Sequence, residues 1–264
     1  MSKIGIPLSL SLESFRKENG PLIDVRSPGE FNQGHWPGAI NLPLFNDKEK
    51  ALVGTCYKKE GKNKAIVLGL RLTKNKLPEL KRSLEKKAQD FTHSRLKIYC
   101  WRGGLRSSSM AWLANFLELK AIVLSGGYKQ YRQWSLNQFS QNWPLHILGG
   151  KTGTGKTELL LSLEKQGIPI IDLEGIAKHR GSSFGGLGFQ EQPSTEQFEN
   201  MIAEKLNSFK NNDSKKIWLE DESINLGKCR IPKSLFVQMK KAPLLEIVKG
   251  KTERVEALVK EYGK

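Results

Sequence analysis

Cysteine and long apolar runs are both scarce in this sequence. Only three cysteines, Cys56, Cys100 and Cys229, occur among its 264 residues. Because they are odd in number and widely spaced, neither a disulfide framework nor a cysteine-based zinc site is expected. No apolar run approaches the roughly 18 residues that a membrane-spanning helix needs, which argues against an integral membrane protein.

The pattern of a secretory signal is also missing. Residues 1–12 contain one lysine and no small-residue cleavage site after a long apolar core. We therefore expect a cytoplasmic protein with free thiols and no membrane partner. The sequence does not indicate an oligomeric state.

Acidic residues are few in the first half of the chain. Residues 1–137 hold 24 basic and 11 acidic residues, residues 138–264 hold 19 and 16, and the net charge is +16. Residues 48–106 alone hold 17 basic and 5 acidic residues. Such a concentration attracts polyanions, including nucleic-acid backbones. It equally fits the solvated helix faces of a lysine-rich protein.

Strand-like apolar runs alternate with helical patterns along the chain. This alternation predicts an α/β protein whose parallel sheets are joined by crossover helices. We expect two domains, residues 1–140 and residues 141–264, which pack without a long flexible linker between them. Short buried strands are predicted over Leu96–Tyr99, Ala121–Leu124 and Leu145–Leu148, and an amphipathic helix over Pro78–Phe91.

The first candidate site follows the predicted strand Leu96–Tyr99. Cys100 stands at the strand end, and Arg102, Gly103, Gly104 and Arg106 follow it before a helix. A short loop of this kind turns its backbone N–H groups towards an anion, and the arginines and the helix N-terminus favour a reactive thiolate. The alternative is a buried structural cysteine, which is the interpretation we give to Cys56 and Cys229.

This part of the chain resembles a rhodanese domain. The resemblance rests on four segments: Ile23–Pro28, Glu30–Phe31, Gly34–Asn41 and the Cys100 loop. It implies a rhodanese-like parallel sheet with a sulfur- or selenium-carrying Cys100. The spacing differs, since single-domain rhodaneses look like Cys-x4-Arg and this loop is Cys-x5-Arg. Phosphatases share the longer spacing, so a phosphatase in which Arg106 grips phosphate stays open.

The second candidate site is a phosphate-binding loop over Gly150–Thr157. The segment satisfies G-x4-G-K-[ST] between a predicted strand and a predicted helix, which indicates a P-loop NTPase-like domain that binds a diphosphate. Lys156 supplies a charge to the phosphates, and the Thr157 hydroxyl is a candidate ligand for Mg²⁺. The loop residues expected to touch the phosphates are Gly150, Gly153, Thr154, Gly155, Lys156 and Thr157.

Acidic and basic residues beyond the loop are further candidates. A metal-supporting acid is expected at the end of a neighbouring strand. The segment Ile217–Ser223, with Glu220, Asp221 and Glu222, fits best, and Asp221 is chosen from it, with Asp172 as another candidate. The alternative is that two of these four acids are solvated strand-end charges. His179 and Arg180 open a polar, glycine-rich segment that could grip the rest of a substrate or form a surface connection. No motif specifies a nucleobase.

The combination of the two sites resembles the tRNA 2-selenouridine synthase family. The resemblance covers nearly the whole chain and rests on these strings: Val53-Gly54-Thr55, Tyr57-Lys58, Gly126-Gly127-Tyr128-Lys129, Asp172-Leu173-Glu174-Gly175, His179-Arg180-Gly181-Ser182, Gln192-Pro193 and Glu220-Asp221-Glu222-Ser223.

The family implies a tRNA-modifying transferase that acts on wobble 2-thiouridine. It implies S-geranylation from geranyl diphosphate, followed by replacement of the S-geranyl group with selenium from selenophosphate at Cys100. Chains of the family usually continue beyond the position of Lys264, and should that segment help to bind tRNA, one half-reaction would be impaired. A P-loop-regulated sulfurtransferase or a phosphatase that does not act on tRNA is the alternative.

Overall fold

A computed structural model describes residues 6–89, 95–179, 191–210 and 216–262. The chain divides into two compact units, Met1–Trp134 and Ser135–Lys264, and the division falls a few residues before the boundary placed at 140/141. In the part of the chain that the structure describes, no helix is long and apolar enough to cross a membrane.

The first unit contains a parallel sheet with helices on its connections. Its elements are β1 (Leu8–Leu10), α1 (Leu12–Lys17), β2 (Leu22–Asp24), α2 (Pro28–Gln33), β3 (Ile40–Asn41), α3 (Asp47–Glu60), α4 (Lys62–Lys74), α5 (Leu77–Gln89), β4 (Leu96–Tyr99), α6 (Leu105–Phe116), β5 (Ala121–Leu124) and α7 (Gly127–Gln138). Helix α7 continues into the second unit.

The sheet of the first unit has the order β1-β5-β4-β2-β3, and every described pairing in it is parallel. All residues of β4 and β5 are buried, and all except Lys97 are apolar or aromatic, which agrees with the two short buried strands predicted from the sequence. In a parallel sheet the carboxyl ends of the strands meet at one edge. The loops that follow β2, β4 and β5 therefore lie together.

Helices α3, α4 and α5 form an insertion between β3 and β4. The sequence predicted only α5, as Pro78–Phe91. Helix α3 begins with a capping box in which Asn46 and Glu49 bond each other's backbone N–H groups. This Asn-x-x-Glu spacing was a readable helix start that the prediction missed.

A buried ion pair joins β2 to the segment that follows it. The Arg26 guanidinium donates to both Asp24 carboxylate oxygens, with Nη2–Oδ2 at 2.7 Å, and also to the Gly34 carbonyl oxygen. Both side chains are essentially inaccessible. The Arg26 Cζ lies 3.8 Å from the Tyr128 ring centroid. Burial lowers the pKa of Arg26, but bonding to Asp24 outweighs it, so this pKa is raised.

The second unit contains a smaller parallel sheet and a short hairpin. Its elements are β6 (Leu145–Gly149), α8 (Lys156–Lys165), β7 (Ile170–Ile171), α9 (Leu173–Ala177), α10 (Thr195–Ser208), β8 (Ile217–Glu220), β9 (Asn225–Leu226), β10 (Cys229–Arg230), α11 (Lys233–Lys241), β11 (Leu244–Glu246) and α12 (Lys251–Tyr262).

The larger sheet of the second unit has the order β11-β6-β8-β7, and its described pairings are parallel. Strands β9 and β10 pair antiparallel outside it. The predicted α/β class with two parallel sheets is confirmed. Because β6 lies between β11 and β8, the loop after β6 is flanked by the ends of both neighbours.

We expect Asp24→Asn to destabilise the protein strongly. The change leaves the Arg26 charge buried without its counter-charge, and breaking a buried pair in this way costs about 3–5 kcal/mol of unfolding free energy. Urea denaturation followed by circular dichroism measures it. The control is Glu13→Gln, which removes an exposed pair with Lys17 and should leave the unfolding free energy nearly unchanged. Equal losses of unfolding free energy in Asp24→Asn and Glu13→Gln would contradict a stabilising role for the buried Asp24–Arg26 pair.

Candidate functional site

The Cys100 side chain lies at the base of the loop that follows β4. It is 3% exposed and packs in a core cluster with residues that include Ile98 and Met110. Its Sγ lies 3.2 Å from the Ser107 Oγ, and the Ser107 hydroxyl also lies 3.0 Å from the Gly104 carbonyl oxygen. The hydroxyl has one proton, which it donates to this carbonyl oxygen, so its oxygen is the acceptor for the Cys100 thiol. The sulfur is therefore backed by the apolar core and has a polar neighbour on α6.

The start of α7 holds the Cys100 loop in place. The Tyr128 N–H donates to the Cys100 carbonyl oxygen at 2.8 Å, and the Lys129 N–H donates to the Trp101 carbonyl oxygen at 3.0 Å. A Cβ on Gly127 would lie 2.3 Å from the Cys100 carbonyl oxygen, and Gly127 has a φ of +58°. Only glycine fits this close backbone approach. The Gly-Gly-Tyr-Lys string thus has a positioning role that sequence reasoning did not assign.

The two arginines of the loop have different surroundings. Arg102 is exposed, between Trp101 and Gly103. Arg106 is partly buried and forms an ion pair with Glu30, with Nη1–Oε2 at 2.6 Å. Burial raises the pKa of Glu30, but bonding to Arg106 outweighs it, so this pKa is lowered. The pair with Glu30 uses two of the five N–H donors of the Arg106 guanidinium and leaves the other three outside the pair.

Gly103 and Gly104 complete the loop ahead of α6. Gly103 packs against the backbone of Leu124 and of Gly126, whereas the space around Gly104 is open and Gly104 is the N-cap residue of the helix. The sequence-predicted order of strand, cysteine, glycines and helix N-terminus is thus present in the structure.

The phosphate-binding loop joins β6 to α8. The Thr154 side chain is buried and its hydroxyl donates to the Lys151 carbonyl oxygen at 2.8 Å, which closes the turn. The Lys156 Nζ donates to the Gly150 carbonyl oxygen at 2.9 Å, so the ammonium group spans the loop. Gly153 lies in the turn, and Gly155 has a φ of +84° immediately before α8. This is the strand–loop–helix arrangement that suits a diphosphate.

A second lysine lies against the same loop. A Cβ on Gly155 would lie 3.4 Å from the Lys249 Nζ. Lys249 follows β11, whose residue Glu246 pairs in register with Gly149 of β6. Sequence reasoning missed Lys249 because it assigned no strand to Leu244–Glu246 and so had no reason to bring this residue to the loop.

Three carboxylates form a cluster beside the phosphate-binding loop. Oxygen atoms of Glu174, Glu220 and Glu222 lie within 4.8 Å of one another. Glu220 is 2% exposed, and its Oε1 has no hydrogen-bond partner among the described residues. Thr157 donates a hydrogen bond to Glu220, and the Lys156 charge also acts on this carboxylate. The cluster is therefore adjacent to both of these loop side chains.

The pKa values of Glu220 and Glu222 reflect first their burial and then the charges of neighbouring glutamates. Burial, reinforced by the charge of Glu174, raises the pKa of Glu220 to about 7. Burial and the charges of Glu174 and Glu220 raise the pKa of Glu222 to about 8. Carboxylates forced together share protons or a cation. Oxygen ligands in this number suit a hard divalent cation such as Mg²⁺, so the residues present fit the metal expected from the sequence.

The acid chosen from the sequence at this strand end lies elsewhere. The Asp221 carboxylate binds the Lys240 Nζ at 2.8 Å rather than joining the cluster. Successive side chains along an extended segment point to opposite sides, which separates Asp221 from Glu220 and Glu222. That alternation is the signal in Glu-Asp-Glu that selects Glu220 and Glu222 from the three acids predicted at this strand end.

The remaining predicted residues flank α9. The Asp172 Oδ1 accepts a hydrogen bond from the Gly175 N–H at 2.8 Å and caps the helix, and burial raises its pKa. His179 is half-buried against Gly227, and its Nδ1 has no hydrogen-bond partner among the described residues. Arg180 lies outside the described residues.

Two family models match the chain, one in each unit. Residues 11–133 match the rhodanese-like domain, and residues 143–264 match the AAA domain of tRNA 2-selenouridine synthase. Each match contains one of the two candidate sites. The rhodanese-like match contains the Cys100 loop, and the AAA match contains the phosphate-binding loop.

Relatives named tRNA 2-selenouridine synthase align with both units together. The one from Nitrosomonas europaea is 39% identical over 249 residues, which cover 92% of this chain and 63% of the relative. The one from Shewanella sediminis is 39% identical over 248 residues, which cover 92% of this chain and 65% of the relative. The chain thus spans about two thirds of the length of these relatives. The one from Sulfurovum sp. is 39% identical over 265 residues, with 97% of this chain and 70% of the relative covered. On this similarity across both units, the chain belongs to the tRNA 2-selenouridine synthase family.

Proposed function

We propose that the protein is a tRNA-modifying transferase that converts wobble 2-thiouridine to 2-selenouridine. The reaction proceeds by S-geranylation from geranyl diphosphate and then by exchange of the S-geranyl group for selenium from selenophosphate. One observation carries this proposal: a phosphate-binding loop with two lysines and a cysteine loop occur in one chain of this family. The two loops suit a diphosphate leaving group and a selenium donor respectively.

Geranylation is assigned to the second unit. The thiocarbonyl sulfur of the base attacks C1 of geranyl diphosphate, so that a C–S bond forms as the C1–O bond breaks. Diphosphate leaves with the electron pair, and the proton on N3 of the base passes to solvent. Negative charge grows on the departing diphosphate, and the loop N–H groups, Lys156 and Lys249 stabilise it.

Mg²⁺ is assigned to the carboxylate cluster beside this loop. Thr157 and Glu220 would hold it from the loop side, and Glu174 and Glu222 would complete the oxygen ligands. Such an ion neutralises charge on a departing diphosphate. Glu220 and Thr157 are also positioned by each other, because the threonine hydroxyl donates to the carboxylate.

Selenium exchange is assigned to the Cys100 loop. Water takes the phosphoryl group of selenophosphate, and the freed hydrogen selenide attacks C2 of the S-geranylated base. The C2–Se bond forms, the C2–S bond breaks, and geranyl thiol leaves, so no oxidant or reductant is needed. Alkylation makes this sulfur a better leaving group than the thiocarbonyl. The role proposed for the Cys100 side chain, next to Ser107, is to give its thiol proton to the departing geranyl sulfur and to take a proton back from the attacking hydrogen selenide, so that sulfur and selenium keep their oxidation states.

The tRNA is expected to bind the basic helices of the insertion. Exposed lysines and arginines lie along α3, α4 and α5, and Lys58, Lys59 and Arg71 are among them. Neutralising phosphates with such side chains releases counterions and makes binding strongly dependent on salt.

The two half-reactions should separate by mutation. Lys156→Ala should reduce geranylation by about 100-fold or more, because it removes a group that stabilises the leaving diphosphate. It should leave selenation of tRNA already carrying S-geranyl-2-thiouridine intact. Cys100→Ser should reduce this selenation and leave geranylation intact. Mass spectrometry of nucleosides, after incubation with thiolated tRNA and both donors, measures each product. Lys165→Ala and Cys56→Ser are the matched controls. If each test variant abolished both steps, the assignment of steps to loops would be wrong.

The cluster should bind a divalent cation in the absence of substrate. Titration of Mn²⁺, followed by the loss of its free electron-paramagnetic-resonance signal, should show one site whose affinity falls at least about tenfold in Glu220→Gln. Asp221→Asn is the matched control, since Asp221 faces Lys240. Identical Mn²⁺ affinity in the two variants would rule out the cluster as the site.

Affinity for tRNA should fall at least about 100-fold between 50 and 200 mM KCl. Replacing Lys58 and Lys59 together with glutamine should reduce the slope of log affinity against log salt, and fluorescence anisotropy of labelled tRNA measures both effects. Lys17→Gln is the control because Lys17 pairs with Glu13. Affinity that does not change with salt would count against the basic helices as the binding surface.

A further inference from the structure

A large apolar cavity lies in the first unit, between the insertion helices and α6. Its volume is about 890 Å³. Apolar side chains dominate its walls: Phe45 before α3, Val53 of α3, Ile66 and Leu70 of α4, Leu77 of α5 and Trp112 of α6. This volume is typical of a pocket for a small organic ligand.

The cavity leaves apolar side chains in contact with solvent. Leu70 is 65% exposed, and Tyr57, Leu77, Leu105 and Trp112 are exposed as well. Contiguous apolar surface of this kind is unfavourable in water unless a ligand or partner covers it. The cavity therefore needs an occupant with an apolar part.

One wall of the cavity continues from the Cys100 loop. Helix α6 begins at Leu105, directly after the loop, and both Leu105 and Arg106 line the cavity. Ser107 contacts the Cys100 Sγ, and the next residues, Ser108 and Ser109, line the cavity again. Neighbouring side chains on a helix point in different directions. One turn of α6 therefore contacts the Cys100 Sγ on one side and lines the cavity on the other.

The charged residues that line the cavity carry one sign. They are Lys62, Arg71, Lys74 and Arg106, and no aspartate or glutamate lines it among the described residues. Lys62, Arg71 and Lys74 are exposed, so their charges lie on the solvent side of an apolar interior. This arrangement complements a ligand in which an apolar chain is attached to a polyanion.

We propose that this cavity binds the geranyl chain of S-geranyl-2-thiouridine in tRNA while the modified base lies at the Cys100 loop. The inference rests on the proposed function, which generates a ten-carbon chain on a nucleic acid. The chain fills the apolar interior, and the phosphates that flank the base meet the cations at the rim. Binding the chain here distinguishes geranylated from ungeranylated tRNA and receives the geranyl thiol as it leaves.

Binding of free nucleosides to the full chain tests the proposal without turnover. S-geranyl-2-thiouridine should bind at least tenfold more tightly than 2-thiouridine, as measured by the fluorescence of Trp112 and its neighbours and by calorimetry. Leu70→Asn removes an apolar wall contact, and Ser109→Trp fills the cavity from an exposed position. Each should reduce the preference at least fivefold. Leu52→Asn is the matched control, since Leu52 is exposed on α3 and does not line the cavity.

The outcomes separate this inference from the proposed function. Loss of the preference in both variants supports the cavity even if the chain fails to modify tRNA. If both variants modify tRNA and keep the wild-type preference for S-geranyl-2-thiouridine over 2-thiouridine, the cavity is not the geranyl site, and the proposed function stands. No preference in the wild-type protein also overturns the inference. So does a dimer, seen by sedimentation velocity, that Leu70→Asn dissociates without affecting nucleoside binding, because the cavity would then be an interface between copies.

Discussion

The buried pair of Asp24 and Arg26 connects the separate strand ends of the first unit. Its guanidinium is fixed by the carboxylate and by the Gly34 carbonyl oxygen, and its flat face lies over the Tyr128 ring. Tyr128 in turn donates its backbone N–H to the Cys100 carbonyl oxygen. A charge buried in this way has few alternative positions, because leaving its partner would expose it to an apolar environment. The Asp24–Arg26 pair is thus linked to the cysteine loop through the Tyr128 ring and the Tyr128 backbone N–H.

In the first unit buried opposite charges are paired, whereas the second unit brings carboxylates of like charge together. Its three glutamates lie close together, and burial and neighbouring charge raise the pKa values of Glu220 and Glu222, so keeping these two carboxylates ionised costs folding free energy. Such an arrangement is a hallmark of a site that binds a cation or a proton rather than of a stabilising contact. Lys156 and Thr157 stand beside it, so the diphosphate loop and the acidic cluster form one electrostatic unit of opposite signs.

The two sites place different demands on their surroundings. A diphosphate requires N–H groups and cations, which the loop after β6 supplies with little apolar surface. In the proposed reaction, the base carries a prenyl chain and requires an apolar cavity beside a polar reaction centre. Helix α6 meets that requirement because Ser107 faces the sulfur while Leu105 and Trp112 face the cavity. The insertion of α3 to α5 then provides both the other apolar walls and the positive charge that suits a nucleic acid.

The sequence by itself determined the α/β class, the strands β4 and β5, the cysteine loop and the phosphate-binding loop. These features are local, since each depends on residue types at fixed spacing within about ten positions. Only the tertiary structure decided that Arg106 pairs with Glu30, that Glu220 rather than Asp221 faces Thr157, and that Lys249 reaches Gly155. Those contacts join residues that are far apart in sequence or that differ only in side-chain direction. They are set by strand order and by which face of each segment meets its neighbours, and a linear pattern does not contain that information.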